Sequence, residues 1–336
     1  MAAKTRVAVV GASGYAGAEV VRLLAFHPSA EVVCVTTSRT PGRRLQESCP
    51  WLYTDLVLEP FDCAIKADVF FLCQEAGFAG EMAPILATRS KVIDHSADFR
   101  LKDGETYERI YKQPWRGGSL HSPPPYGLPE LGDRQAIAAA SVVAVPGCYP
   151  TAALLGLMPL INAGLVTGTP VIDGKSGVSG AGRSKTDTEY IFSELDGSLR
   201  PYAVVGHRHT PEIEAFVGMP VRFTPHLLPI ARGMEITSYV PVKGIRTRSD
   251  LDDLFTGAYA TEPFVHVQTQ MPTTKQVHGS NSCVISVEFD ERTSHAIVMS
   301  VIDNLGKGAA GQGIQNMNLM LGLPETCGLP IHGVWP

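Results

Sequence analysis

Arg6-Val7-Ala8-Val9-Val10-Gly11-Ala12-Ser13-Gly14-Tyr15-Ala16-Gly17 decides the fold. Its first five residues are a short apolar, β-branched run, the pattern of a strand buried in a parallel sheet. Three glycines follow with G-x-x-G-x-x-G spacing, and Ala18 to Phe26 then repeats its apolar residues with helical period. Strand, glycine loop and helix, in that order at the first junction of the chain, are the start of a dinucleotide-binding unit. Glycines let the backbone approach a pyrophosphate, and the helix N-terminus stabilises its charge. Gly11, Ser13, Gly14, Tyr15, Ala16 and Gly17 are therefore candidate cofactor-binding residues, with a plain turn as the simpler alternative.

Outward from this start, Glu31 to Thr36 reads as the second strand. An NAD-preferring site would place an acidic residue at its end. Thr37-Ser38-Arg39 stands there instead, with Arg43 and Arg44 close behind. A hydroxyl and a guanidinium suit a 2′-phosphate, so Ser38 and Arg39 point to NADP rather than NAD, unless this is only a solvated basic loop. Ala67 to Cys73 and Lys91 to Asp94 read as further strands, with a helix from Glu81 to Ala87 between them. Strands alternating with helices imply a doubly wound sheet. After the fourth strand, Arg100 either holds a carboxylate or phosphate or pairs with Asp98. Lys102 to Gly132 is loop-rich, and its Pro123-Pro124-Pro125 run excludes a long helix or a central strand.

Val142 to Val145 returns to the sheet and delivers Pro146-Gly147-Cys148-Tyr149-Pro150-Thr151. Pro150 suits a first helical turn, so Cys148 lies at or just before a helix N-terminus. The dipole and unpaired N–H groups there favour a thiolate. A free cysteine is commonly a buried packing residue, but one at the carboxyl end of a strand in a nucleotide-binding sheet is placed to act as a nucleophile.

Composition agrees with an ordinary soluble protein. The chain has 336 residues, 44% hydrophobic and 18% charged, enough for two domains. Lys+Arg 28 against Asp+Glu 33 leaves a net charge of −5, so no basic surplus suggests nucleic acid. The seven cysteines are odd in number and contain no C-x-x-C, which argues against a disulfide framework or a metal site. No run reaches membrane-spanning length and the N-terminus has no signal pattern. A reduced, cytoplasmic location is expected.

Beyond Cys148 the pattern changes. Val171 to Asp173, Val221 to Pro229, Met234 to Val242, Cys283 to Asp290 and His295 to Val301 read as strands in consecutive runs, and Ser249 to Ala260 as a helix. That is an α+β block, whose sheet would bury one face in a subunit contact. Gly174 to Arg183 is a glycine-rich loop expected to pack on cofactor or substrate, with Ser179 and Gly180 as its candidates. His207-Arg208-His209 carries two histidines two apart, which on a strand or extended turn point the same way. No third ligand suggests a metal, so one of them is read as the acid/base partner of Cys148. Arg232 is a further candidate for anion binding. Gly308 onward reads as a helix with small residues on its first turns.

With these words in view, the chain resembles the N-acetyl-γ-glutamyl-phosphate reductase family. Gly11-Ala-Ser-Gly-Tyr-Ala-Gly17, Ser96-Ala-Asp-Phe-Arg-Leu101, Tyr126-Gly-Leu-Pro-Glu-Leu131, Pro146-Gly-Cys-Tyr-Pro-Thr151, Ser176-Gly-Val-Ser-Gly-Ala-Gly182, His207-Arg-His209 with Pro211-Glu212-Ile213, Phe223-Thr-Pro-His226, Arg232-Gly233 and Asp303-Asn-Leu305 with Lys307-Gly-Ala-Ala310 carry the likeness, in order, over nearly the whole chain. His95, where the family has leucine, and the triple proline depart from it. The resemblance implies a Rossmann-type NADP-binding domain over residues 1–148 and 306–336. It also implies a substrate-binding and dimerisation domain with a mainly antiparallel sheet over 149–305, as in glyceraldehyde-3-phosphate and aspartate-semialdehyde dehydrogenases. It implies NADPH-dependent reduction of an acyl phosphate to an aldehyde, with release of phosphate, in a homodimer or homotetramer. Cys148 would be the nucleophile and His207, or else His209, the acid/base. Glu212 would orient the histidine, Asn304 join the cofactor residues, and Arg100, Arg208 or Arg232 bind the substrate's anionic groups. Rival readings are aspartate-semialdehyde dehydrogenase, a reductase of carrier-protein-linked aminoadipyl or glutamyl phosphate, and an NADP-binding regulator without turnover. The net charge of −5 offers no basic docking face for a carrier protein, and Cys148 with His207 argues against a silent regulator.

Overall fold

A computed structural model describes residues 3–120, 122–185 and 187–335. The chain divides into two compact units. The first comprises residues up to Pro146 with Gly182–Ser184 and Ala309–Leu329; the second comprises Gly147–Ala181, Lys185–Gly308 and residues from Pro330 on.

In the first unit, β1 (Thr5–Val10), α1 (Tyr15–Leu24), β2 (Ala30–Thr36), α2 (Leu45–Ser48), β3 (Leu58–Glu59), β4 (Val69–Leu72), α3 (Phe78–Leu86), β5 (Lys91–Asp94), α4 (Gly104–Tyr111), α5 (Arg134–Ala139) and β6 (Val142–Ala144) follow one another. The strands pair in parallel in the order β3-β2-β1-β4-β5-β6. Val7 to Val10 and all of β4 are buried, as strands covered on both faces must be. The order reverses between β1 and β4, and at such a point the carboxyl ends of the strands open a ligand crevice.

Two local departures from the sequence reading meet at one carboxylate. Helix α3 begins at Phe78, not Glu81, because the buried Asp98 carboxylate, from beyond β5, accepts from the N–H groups of Gly77 (2.7 Å) and Gly80 (2.8 Å). Helix α4 lies inside the stretch read as loop-rich, capped by Asp103, which accepts from Glu105 and Thr106 N–H at 3.2 Å each. Its Tyr107 hydroxyl also donates to Asp98 (2.6 Å). One carboxylate thus joins both helices.

The second unit contains α6 (Cys148–Asn162), β7 (Val171–Gly177), α7 (Phe192–Leu195), β8 (Arg200–Pro201), α8 (Thr210–Val217), β9 (Arg222–Leu228), β10 (Met234–Pro241), α9 (Arg248–Tyr259), β11 (Val265–Val267), β12 (Cys283–Asp290) and β13 (His295–Ile302). Its sheet runs β11-β12-β13-β10-β7-β9-β8. Only β11–β12 and β7–β9 are parallel among these pairs, so the sheet is mixed and mainly antiparallel. One face is covered by α6, which is buried almost all round. Ser300 Oγ donates to the Ala152 carbonyl of α6 (2.8 Å). On the opposite face the alternation of β10 leaves Glu235, Thr237 and Tyr239 open to varying degrees. Lys175 there pairs with Glu235 (3.0 Å), and His226 Nδ1 lies 3.0 Å from Asp173.

The glycine-rich stretch is not a loop from Gly174: β7 continues to Gly177, paired with both β9 and β10. A Cβ on Gly174 would stand 2.7 Å from the Tyr149 ring, so this glycine makes room for packing. A π-helix (Gly306–Ala310) and α10 (Gly311–Met320) close the regular structure. Helix α10 belongs to the first unit, where the amides of Gln312 and Asn316 donate to the Gly127 carbonyl (2.7 and 2.8 Å).

Candidate active site

The chemistry-bearing residues of the second unit converge on the N-terminus of α6. Cys148 is the first residue of the helix, Gly147 its N-cap, and no acidic side chain lies in the first turn. The first N–H groups of a helix have no intrahelical partner, so this terminus can receive negative charge. Cys148 is partly exposed. The Pro-Gly turn before it is gripped by the second histidine segment. Glu212, 1% exposed, accepts from the Gly147 N–H at 2.9 Å. The His209 ring lies against the same residue, where a Cβ would stand 2.7 Å from Nε2. Only glycine admits the imidazole at this distance.

His207-Arg208-His209 is a turn running into α8, with His209 as N-cap and Pro211 in the first helical turn, not a strand. The two rings nevertheless meet, with centroids 4.9 Å apart. Their environments differ. His207 sits edge-on among Tyr149 (5.6 Å), Tyr202 (5.4 Å) and Phe223 (5.2 Å). Its Nδ1 accepts from the His209 backbone N–H at 3.1 Å, which leaves the proton of the neutral ring on Nε2. Burial, with Arg208 adding to it, pushes His207 down to about 3. Tyr149 donates to the His226 carbonyl (3.2 Å), and burial holds its phenol protonated. Sequence reading passed over both tyrosines, although Tyr149 adjoins the cysteine.

Of the arginines, Arg208 is exposed. Arg232 pairs with Asp303 at 2.8 Å. Asn304 accepts from Gly233 N–H (2.7 Å) and donates to Ser179 Oγ (2.9 Å), which brings two of the cofactor candidates together. Gly180 lies beside them, a Cβ there standing 3.0 Å from Ser176 Oγ. Among the described residues, no group of three or more His, Cys, Asp or Glu side chains could hold a metal ion.

In the first unit the glycine loop fits a dinucleotide. Gly11 has φ +87°, and a Cβ on it would stand 2.6 Å from the Cys73 carbonyl oxygen. A Cβ on Gly17 would meet the Gly11 carbonyl oxygen at 2.4 Å, so helix and loop touch backbone to backbone. Gly14 is different: it meets only that oxygen, at 3.4 Å. It caps α1 without a side chain, and with Tyr15, Ala16 and Gly17 it opens a helix whose first turn has no acid. This is a terminus arranged for an anion. Ser13 Oγ bonds Thr37 Oγ1 (2.9 Å), which also accepts from Arg39 N–H (3.2 Å), tying the loop to the end of β2. Ser38 and Arg39 are exposed there. Sequence reading gave Arg183 no role, yet it donates to the carbonyls of Ser13 (3.1 Å) and Ser48 (2.7 Å).

Arg100 is half-buried: Nε donates to the Val145 carbonyl and Nη2 to that of His95, both at 2.8 Å. It fastens the ends of β5 and β6. The His95 ring stacks on Phe71 (5.9 Å) and lies where a Cβ on Gly313 would stand 2.5 Å from Nε2. Burial first, then Arg100, pushes His95 down to about 3, while burial and the charge of Asp98 raise Asp94 to about 7. The residue that departs from the family pattern is thus a packing residue against α10.

Comparison with known proteins matches both halves. The semialdehyde dehydrogenase NAD-binding domain matches residues 6–140, and the semialdehyde dehydrogenase dimerisation domain matches 148–304. The N-acetyl-γ-glutamyl-phosphate reductase of Symbiobacterium thermophilum is 47% identical, over 96% of this chain and 97% of its own. That of Moorella thermoacetica is 44% identical, over 98% and 99%. Among solved structures, aspartate semialdehyde dehydrogenase II of Vibrio cholerae complexed with ASA superposes with a TM-score of 0.73 at 17% identity, over 95% of this chain and 98% of that one. Aspartate semialdehyde dehydrogenase with NADP from Candida albicans gives 0.65 at 15%, over 95% and 99%. These structural likenesses speak for the fold.

Proposed function

The chain belongs to the N-acetyl-γ-glutamyl-phosphate reductase family, and from that premise we propose that it reduces N-acetyl-L-glutamyl 5-phosphate to N-acetyl-L-glutamate 5-semialdehyde, in arginine biosynthesis, through a thioester on Cys148. The observation that carries this is the N-terminus of α6: a partly exposed cysteine as first residue, behind a glycine held by Glu212 and flanked by the His209 ring.

The Cys148 thiolate attacks the acyl carbon. The oxyanion that forms is stabilised by N–H groups of the helix terminus. Its collapse breaks the carbon–oxygen bond to phosphate, which leaves as the inorganic ion, and a thioester remains. NADPH, when bound, supplies the hydride that reduces this thioester. His209 moves the protons: as the hemithioacetal breaks down, the aldehyde is released and the departing thiolate needs an acid beside it. We prefer His209 to His207 because His207 has its Nδ1 occupied and is held neutral by burial. Glu212 acts on the backbone of Gly147, and Tyr149 and Tyr202 enclose His207. Arg208 and Arg232 are the groups we assign to the substrate's carboxylate and phosphate; Arg100 serves the sheet.

The glycine loop and α1 terminus would hold the pyrophosphate, and Ser38 and Arg39 a 2′-phosphate; Ser179, Gly180 and Asn304, which lie together in the second unit, we also assign to the cofactor. The open face of the second sheet would form the subunit contact of a dimer or tetramer. We assign the enzyme to the cytoplasm, where thiols are kept reduced.

The test is an assay in reverse, with N-acetylglutamate semialdehyde, phosphate and NADP⁺, run beside aspartate semialdehyde and beside NAD⁺. Turnover should require the acetylated substrate and NADP⁺, and Cys148→Ala should abolish it while NADPH still binds. Near wild-type activity in Cys148→Ala would sink the thioester route; equal use of NAD⁺ would remove the 2′-phosphate reading.

A further inference from the structure

Behind Cys148 runs a turn, Asp303 to Gly308, in which only Asn304 has been given a role above. Asp303 is fully buried. Its Oδ1 accepts from the N–H groups of Leu305 (2.9 Å) and Gly306 (3.2 Å). Its Oδ2 accepts from Gly279 N–H and pairs with Arg232 Nη2. Its carbonyl accepts from Gly308 N–H at 3.0 Å. A π-turn displaces backbone from where an α-helix would put it, which is why such turns gather at functional sites. Here the displaced residue is Gly308, so close to the nucleophile that a Cβ on it would stand 2.9 Å from Cys148 Cβ. The neighbouring residues are fastened as well. A Cβ on Gly306 would meet the Ser280 carbonyl oxygen at 2.2 Å. Lys307 is fully buried with Nζ 5.5 Å from the centre of the Phe264 ring.

We propose that Asp303 is a positioning residue for the reaction: one carboxylate sets both the Gly308 backbone pressed against Cys148 and the guanidinium of Arg232. A cysteine side chain has three staggered rotamers, and a glycine so near that a Cβ on it would stand 2.9 Å from Cys148 Cβ narrows the choice. The same carboxylate limits where Arg232 can meet an anionic group of the substrate. Nucleophile and anion site therefore keep one geometry through a shared buried charge, whose hydrogen bonds are of the stronger, charge-assisted kind. This rests on the reading of Cys148 as the nucleophile.

Asp303→Asn keeps an amide oxygen for the N–H groups of the turn but cannot accept from Gly279 and pair with Arg232 together. Two readouts are taken on folded protein: steady-state kinetics, and the rate at which iodoacetamide alkylates Cys148, which needs no substrate. In Asp303→Asn kcat should fall at least tenfold and alkylation at least threefold. In Arg232→Met, where the turn keeps its caps, KM should rise while alkylation stays within twofold. Wild-type kcat and alkylation in Asp303→Asn, with only a lower melting temperature, would overturn the proposal and leave Asp303 a structural residue. Should that variant not fold, Gly308→Ala drives a methyl group at Cys148, and an unchanged alkylation rate there overturns it equally. Failure of the reductase reading would show separately, as absence of wild-type turnover with the acyl phosphate.

Discussion

His207 and His209 differ in what surrounds each ring. His207 accepts at Nδ1 inside an aromatic cage; His209 lies along the backbone that carries the nucleophile. At this scale the expected ranking of variants is sharp. His209→Gln should lower kcat by about 100-fold or more, in the range of a lost general acid. His207→Gln should lower it by no more than about tenfold, through loosened packing. Steady-state kinetics of the two variants decide the matter, and the reverse ranking would return the proton to His207. The sequence displays both histidines and the cysteine, but not this choice, because a tautomer and a degree of burial are set by residues far along the chain. Glu212 shows the same limit. The resemblance implies that it orients a histidine, and its bond to Gly147 N–H, which crosses 65 positions, is one that no local pattern announces.

Among the elements, the β1–loop–α1 junction was the most legible, since each requirement is local: a buried strand, glycines where backbone meets backbone, a helix start without an acid. Its three glycines do different work, which a variant pair can expose. Gly17→Ala drives a Cβ to 2.4 Å from the Gly11 carbonyl oxygen. Overpacking of this kind costs about 1–3 kcal/mol, so the variant should unfold at lower urea. Gly14→Ala, with its nearest contact at 3.4 Å, should fold normally yet bind NADPH at least tenfold more weakly, because the methyl group stands where the pyrophosphate approaches. Urea titration and fluorescence titration with NADPH read the two effects; normal nucleotide affinity in a folded Gly14→Ala would count against the loop as the pyrophosphate site. Elements set by distant groups were less legible. The start of α3 depends on Asp98, and the π-turn depends on Asp303, Gly279 and Arg232. Helix α4 had a local signal in Asp103, which the surrounding prolines and glycines outweighed.

Over the whole molecule, the buried titratable groups pull in opposite directions. His207 and His95 are held down to about 3, so between their ordinary value near 6.5 and that level the unfolded chain binds protons that the native one does not. The stability they contribute is present above pH 6.5 and is lost as pH falls, at up to about 1.4 kcal/mol per pH unit for each proton. Asp94 is raised to about 7 from 3.8. Over that window the native state binds the extra proton, so its contribution falls as pH rises. In the first unit Asp94 therefore offsets His95 between about pH 4 and 6.5. His207→Gln should flatten the fall in urea stability between pH 6 and pH 4, and Asp94→Asn should steepen it. Unchanged slopes in both variants would reject the assignment. The division of the chain follows the same non-local logic. Gly182–Ser184 joins the first unit through Arg183, whose carbonyl partners at Ser13 and Ser48 no local pattern announces. Helix α10 packs on β5 and α5 of that unit although nearly all of the second unit is spelled out between β6 and α10. On a ribosome, where chains emerge N-terminus first, the parallel sheet would appear early and then wait with Phe71, His95 and the Gly127 carbonyl uncovered until α10 is made. Nascent chains halted before α10 should thus be the species that chaperones hold and proteases cut, and the nucleotide-binding unit, first to be started, would be finished only after most of the second unit had been made.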